Sequence, residues 1–171
     1  MNGLRAQRMM ALKAKQKEEL ENMQKGHGTY TEITEEEFLP HVTKSKYVIV
    51  HFFHKDFERC KIMDMHLKRI TQSHKEALIV RIDAEKCPFF INKLRIQMLP
   101  SVLGFQDGIH VDRIIGFEEL GGTDEFPTIL LTRKLIDMGM LLPKNDKEAG
   151  VMRINKGKKQ RNDDYSDDED Y

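Results

Sequence analysis

A chain of 171 residues can enclose one sizeable core and still carry extensions. Its 28 basic and 28 acidic side chains cancel, so bulk charge singles out no partner, nucleic acid included. No apolar run approaches the roughly 20 residues needed to cross a bilayer. The two cysteines, Cys60 and Cys87, cannot define a disulfide framework. Nothing resembles a secretory signal, and a reducing compartment fits this cysteine usage best. Charge is distributed in blocks. Residues 1–17 hold five basic and no acidic side chains, Arg153 to Arg161 five basic ones, and Asp163 to Asp170 six acidic ones. Such blocks are usually solvated tails. The acid-free start also raises a mitochondrial transit peptide, against which stands its lack of serine.

Residues 3–25 are rich in helix formers, and Met9, Leu12, Gln16, Leu20 and Met23 recur at steps of three and four. The stripe is thin, so the helix gains its stability by packing: on its own domain, or on a partner through Met9, Leu12, Leu20 and Met23. Gly26-His27-Gly28 ends it. A short strand at Tyr30 to Ile33 precedes Thr34-Glu35-Glu36-Glu37, the pattern of a capping box, and a helix to about Lys44 that Pro40 shortens or bends. Tyr47 to Phe53 is apolar without alternation, a strand covered on both faces. The following helix puts Cys60, Met63, Leu67 and Ile70 on one face, with Lys61, Asp64 and Lys68 outside. Ala77 to Asp83 reads as a second buried strand, and Phe89 to Leu94 as a short helix. Ser101 to Gln106, Asp107-Gly108 and Ile109 to Ile115 read as a hairpin. Gly121-Gly122-Thr123 precedes a last helix in which Leu130, Leu131, Leu135 and Ile136 face the core, with Pro127 in its first turn or marking a later start. Hydrophobes thin out after Pro143. The organisation expected is a helical arm at 1–28, an α/β domain at 29–142 with a mixed central sheet covered by helices on both faces, and a disordered basic-then-acidic tail at 143–171.

The stretch Phe57-Glu58-Arg59-Cys60 lies where the central strand turns into the helix. Cys60 falls in the first helical turn, where the helix dipole and Arg59 favour a thiolate and a single-thiol reaction or oxidation sensor. The favoured reading is a small apolar residue lining the core face with Met63 and Leu67. His51, His54, Cys60 and His66 match no common zinc spacing, and His51 and His54 point to opposite faces of a strand. No phosphate-cradling glycine loop is present. Lys156-Gly157-Lys158-Lys159 is a weak nuclear-import or anion-binding patch, and Ser166, followed by Asp167-Asp168-Glu169, sits in the acidic context used by casein-type kinases.

These residues resemble a thioredoxin fold. Val48 to Leu67, VIVHFFHKDFERCKIMDMHL, looks like its strand, active-site turn and helix. MLPS at Met98 to Ser101 looks like its cis-proline loop, and FQDGIHVDRIIGF at Phe105 to Phe117 like its terminal hairpin. Thioredoxins carry Trp-Cys-Gly-Pro-Cys where this chain reads Asp56-Phe57-Glu58-Arg59-Cys60, so Phe57 replaces the nucleophilic cysteine. His51 replaces the buried carboxylate that assists proton transfer. Disulfide exchange needs an attacking thiolate and a resolving thiol, and this resemblance leaves at most the second. The charged arm, the lone cysteine ending the turn, the stretch IIGFEELGGTDEF and the basic-then-acidic tail narrow the resemblance to the third class of phosducin-like proteins. It implies a redox-inactive co-chaperone of the cytosolic chaperonin that modulates folding of tubulin and actin, without cofactor or metal, in the cytoplasm or also the nucleus. The alternative is a single-thiol oxidoreductase or redox sensor using Cys60. The surface in which redox relatives receive a peptide would be Phe57, Glu58, Arg59, Cys60, Leu99 and Pro100, as a partner site or as an inert remnant.

Overall fold

The run Tyr47–Phe53 forms β2 at the middle of a sheet, with Val48 to Phe53 all buried, as an unalternating apolar strand requires. The computed structural model describes residues 2–149. In chain order it contains α1 (Asn2–Gln24), β1 (Tyr30–Ile33), α2 (Glu35–Lys44), β2, α3 (Glu58–Ser73) and β3 (Leu78–Asp83), then α4 (Pro88–Lys93), β4 (Ser101–Gln106), β5 (Ile109–Ile115), α5 (Thr128–Asp137) and the single turn α6 (Asp146–Ala149). The strands run in the order β1-β3-β2-β4-β5. β1 and β2 pair parallel to β3, whereas β4 runs antiparallel to β2 and β5 antiparallel to β4. Asp107 and Gly108 adopt φ of 53° and 80°, the left-handed pair that closes a tight hairpin between β4 and β5.

Helices cover both faces. On one, Met63, Leu67 and Ile70 of α3 and Leu131 and Leu135 of α5 pack against Ile49, Ile79 and Val102. On the other, Phe38 and Val42 of α2 and Phe90 of α4 pack against Val50, Phe52, Val80 and Leu103. Each such side chain removed from water contributes about 1.5–3 kcal/mol, which is why the apolar spacing positions these elements. Leu130 and Ile136 are half-buried at the cluster's margin, and Pro127 is the N-cap that precedes α5 rather than part of its first turn. The Glu37 carboxylate accepts from the Thr34 N–H and hydroxyl and fixes the start of α2. Pro40 lies inside that helix, which nevertheless continues to Lys44.

The expected outward position of Asp64 is corrected. Lys61 and Lys68 are exposed, but Asp64 is drawn inward by partners on β1, β2 and β3. The arm α1 reaches Gln24 with Met9, Leu12, Leu20 and Met23 all exposed, so its stripe is not docked on the domain. Its root is tied down by His27, whose Nδ1 donates to the Lys75 carbonyl at 2.7 Å and whose Nε2 meets the Ser45 hydroxyl at 2.6 Å. Residues 139–142 cross β4, and residues 144–149 fold back onto the body through polar contacts. Ser166, the Lys156–Lys159 patch and the acidic block lie outside the described residues.

Gly104 permits the crossing. A Cβ there would sit 2.8 Å from Cγ and Sδ of Met140. Gly104→Ala is expected to cost about 1–2 kcal/mol, the lower part of the overpacking range because methionine can shift. A urea midpoint equal to that of the native chain would show that the crossing does not depend on the missing side chain.

Candidate functional site

The turn after β2 is built on backbone hydrogen bonds that leave Phe57 facing outward. Phe57 N–H donates to the His54 carbonyl, and the Cys60 N–H donates to the Phe57 carbonyl, both at 3.1 Å. Phe57 thus becomes the N-cap of α3 with an extended backbone. Its side chain is 45% exposed and its ring stacks on His54, with centroids 4.5 Å apart and planes inclined by 24°. His54 Nδ1 accepts from the Asp56 N–H at 3.1 Å, so the ring proton lies on Nε2, directed at Glu85.

Cys60, three residues on, points the other way. It is 1% exposed, and its sulfur accepts from the His54 N–H at 3.4 Å. Burial pushes the thiol up, the His54 N–H pulls it partly back, and the nearby Asp64 charge adds to the rise. Arg59 does not counter this. Its Nε donates to Asp124 at 2.7 Å, and its guanidinium lies over the Phe117 ring at 4.9 Å. The thiolate-favouring effect expected of Arg59 and the helix dipole is therefore outweighed by burial. Cys87 packs in the cluster across the sheet, with Phe38 and Phe90, and burial foremost pushes its thiol up to about 12. The two sulfurs are free and are served by opposite faces of the sheet.

Beneath the turn lies a polar cluster. Asp64 Oδ1 accepts from the Tyr30 hydroxyl at 2.5 Å and from His51 Nδ1 at 3.0 Å. Asp64 Oδ2 accepts from Arg81 at 2.6 Å, and Arg81 also reaches Glu32 at 3.0 Å and lies over the Phe53 ring. His51 is fully buried, and burial keeps it neutral against the pull of Asp64. Its proton sits on Nδ1, leaving the Nε2 lone pair without a partner among the described residues. Burial pushes the Asp64 carboxyl up, but His51, Tyr30 and Arg81 together hold it below the usual carboxylate range. A carboxylate thus does reach His51, supplied by α3 rather than by the strand. Committed to Arg81, it is a weak base. Sequence reasoning missed Tyr30, Asp64 and Arg81. The available signals were Asp64 one turn beyond Cys60 and a lone arginine between Val80 and Ile82.

Leu99-Pro100 is cis, as the MLPS loop predicts, and stands beside the turn. The Ser101 hydroxyl donates to the Met98 carbonyl and the Gly116 N–H to the Pro100 carbonyl, which fixes the loop. Met98 is exposed, Leu99 half-buried and Pro100 buried. A shallow groove of about 240 Å³ runs between His54 and Glu85 on one side and Ile91, Ile96 and Leu99 on the other. Phe57, Glu58, Arg59, Leu99 and the exposed Met98 and Phe89 therefore occupy the same end of the sheet, while Pro100 and Cys60 support it from within. Of the histidines considered as metal ligands, His66 is elsewhere, stacked on Phe126 and bonded to Thr128 at 2.7 Å. Among the described residues no group of His, Cys, Asp and Glu is arranged to hold a metal.

Strand, turn, helix and cis-proline loop define a thioredoxin-like domain whose turn carries one buried sulfur. The thioredoxin family profile matches residues 29–126. Solved structures agree in fold. A mutant thioredoxin from Halobacterium salinarum superposes with a TM-score of 0.57 at 14% identity, over 68% of this chain and 96% of that one. Oxidised thioredoxin from Plasmodium falciparum gives 0.55 at 18%, over 66% and 99%. Curated relatives are closer in sequence. Phosducin-like protein 3 of Dictyostelium discoideum is 41% identical over 81% of this chain and 74% of its own length. Thioredoxin domain-containing protein PLP3B of Arabidopsis thaliana is 44% identical over 85% of this chain, which spans 63% of that relative. Human thioredoxin domain-containing protein 9 is 37% identical over 77% of this chain and 59% of its own length. The chain belongs to the phosducin-like proteins of the thioredoxin family.

Proposed function

We propose that this chain is a redox-inactive co-chaperone that binds the cytosolic chaperonin and modulates the folding of tubulin and actin. The observation that carries the reading is Phe57, an exposed ring at the position of the attacking sulfur, above a Cys60 that is buried and held as a thiol. An aromatic ring cannot attack a disulfide, but exposed aromatic and methionine side chains are common anchors at protein interfaces. Phe57 and Met98 supply such anchors beside the groove bounded by Leu99, and the exposed arm adds Met9, Leu12, Leu20 and Met23. Family membership supports the same reading. Cytoplasm is the compartment in which this partner is found.

The test pairs two measurements on the full chain: retention of purified chaperonin and reduction of insulin disulfides. Phe57→Asp is expected to weaken retention about tenfold, the effect of losing one aromatic anchor. Cys60→Ser is expected to leave retention unchanged. Repeated disulfide turnover that vanishes in Cys60→Ser, with no chaperonin retained by any form, would replace this reading with that of a single-thiol oxidoreductase.

A further inference from the structure

Between Pro143 and Ala149 the chain offers the core almost nothing apolar, yet it is held against the body. The contacts that hold it are polar: Arg133 of α5 takes the Lys147 carbonyl, and the others gather around His74, the residue that ends α3. His74 is 1% exposed. Its Nδ1 lies 2.9 Å from Glu76 Oε2 and its Nε2 2.9 Å from Glu148 Oε1. Glu76 Oε2 also accepts the Leu142 N–H at 2.9 Å, and Glu76 Oε1 lies 3.1 Å from Lys144 Nζ. Glu148 Oε1 accepts the Lys144 N–H at 2.9 Å, while Arg133 Nε donates to the Lys147 carbonyl at 2.8 Å. One ring therefore joins the end of α3 to the segment leading out of the domain.

An ionised carboxylate only accepts, so a ring nitrogen facing one is favourable only while it carries a proton. His74 faces a carboxylate at each nitrogen. The Nε2–Glu148 contact is short but misaligned as a hydrogen bond, so it depends on the positive charge of the ring. A neutral ring keeps its proton for Glu76 and presents a lone pair to Glu148. That like-polarity contact would be buried and uncompensated.

We propose that His74 is a pH-operated clasp, whose doubly protonated ring bridges Glu76 and Glu148 and whose deprotonation frees Glu148 and loosens residues 144–149, leaving them held by Arg133 on the Lys147 carbonyl and by Lys144 on Glu76. The other charged groups at this pole do not substitute for it. Glu76 is burdened by burial, but its bonds to His74, Leu142 and Lys144 hold it down at about 2, so it stays ionised. Lys15, Glu18, Glu19, Lys75 and Lys144 border the neighbouring recess beside the arm. His27 is kept neutral mainly by burial. For His74 itself burial favours the neutral ring, but Glu76 and Glu148 outweigh it and raise the pKa above the ordinary 6.5. The sign follows from that rise. The clasp's contribution is complete below 6.5 and is lost as pH climbs through the higher folded value. The segment therefore loosens above 6.5, as pH rises through the folded value.

Nuclear magnetic resonance of the full chain between pH 6 and 9 tests this. The His74 ring and the amides of Leu142, Lys144 and Glu148 are expected to titrate together with one midpoint above 6.5. Glu148→Gln is expected to shift the His74 midpoint down toward 6.5. His74→Gln is expected to give the loosened amide positions already at pH 6. A His74 that is neutral below 6.5, or amides that do not follow its titration, would overturn the proposal. Should His74→Gln fail to fold, Glu148→Gln decides, because that change lies on the outermost segment: an unmoved His74 midpoint rejects the clasp.

Discussion

Phe57→Cys is expected to raise insulin reduction on the order of tenfold above the native chain, because the replacement puts a sulfur where α3 begins. The backbone at this N-cap is extended, the side chain is 45% exposed, and no hydrogen bond of the Phe57 ring is lost. A thiol there sits at the positive end of a sixteen-residue helix, which favours thiolate. Glu58 and Arg59 would separate it from Cys60, the spacing of a dithiol pair, and Cys60 would resolve the mixed disulfide. Burial keeps Cys60 protonated, so resolution rather than attack is expected to limit the rate. Adding Cys60→Ser to Phe57→Cys should then trap the mixed disulfide with substrate, detectable by mass spectrometry. Equal rates for the native chain and Phe57→Cys would mean that the missing sulfur is not what silences the turn.

Asp64→Ala is expected to cost about 3 kcal/mol of stability, read from urea unfolding. The change leaves Arg81 without its closest anion and leaves the Tyr30 hydroxyl short of an acceptor beneath α3, while His51 Nδ1 keeps the Tyr30 oxygen at 2.9 Å. Asp64→Asn, which still accepts from Tyr30, should lose less. Both replacements also remove the titrating carboxyl. Asp64 is held below its ordinary 3.8, so its contribution is present above that value and fades as pH falls through the depressed one. Asp64→Ala should therefore flatten the acid limb of the stability profile. An unchanged limb and an unchanged midpoint would show that solvent screens the cluster despite its position.

The order of elements was legible because burial is written in apolar spacing. Val48 to Phe53, Leu78 to Ile82 and the stripe Met63-Leu67-Ile70 each specify a face without reference to anything distant. The turn was legible from one substitution, Phe57, and the loop from Leu99-Pro100. What escaped were groups whose partners are remote in the chain. Asp64 lies on the margin of the buried stripe, and only Tyr30, His51 and Arg81, on three strands, decide that it turns inward. His74 and Glu148 are likewise brought together by folding alone. A search for hydrophobic periodicity ends at Leu142 and has no means of seeing a polar anchor beyond it.

His27 bonds the Lys75 carbonyl and roots the arm, and His74, the residue before Lys75, contacts Glu148 of the C-terminal segment, both at the end of the sheet where β2 and β3 begin. Phe57 and Leu99 stand where those strands finish, a strand length of roughly 23 Å away. Under the proposed function, the domain would act as a spacer between the Phe57 surface and the two segments rooted at the opposite end. A large ring-shaped or multi-subunit target could be held at both ends at once, and the second attachment would then be intramolecular, strengthened by effective concentration rather than by more contact area. Weak contacts at each end would suffice, and loosening either one would speed departure without abolishing recognition.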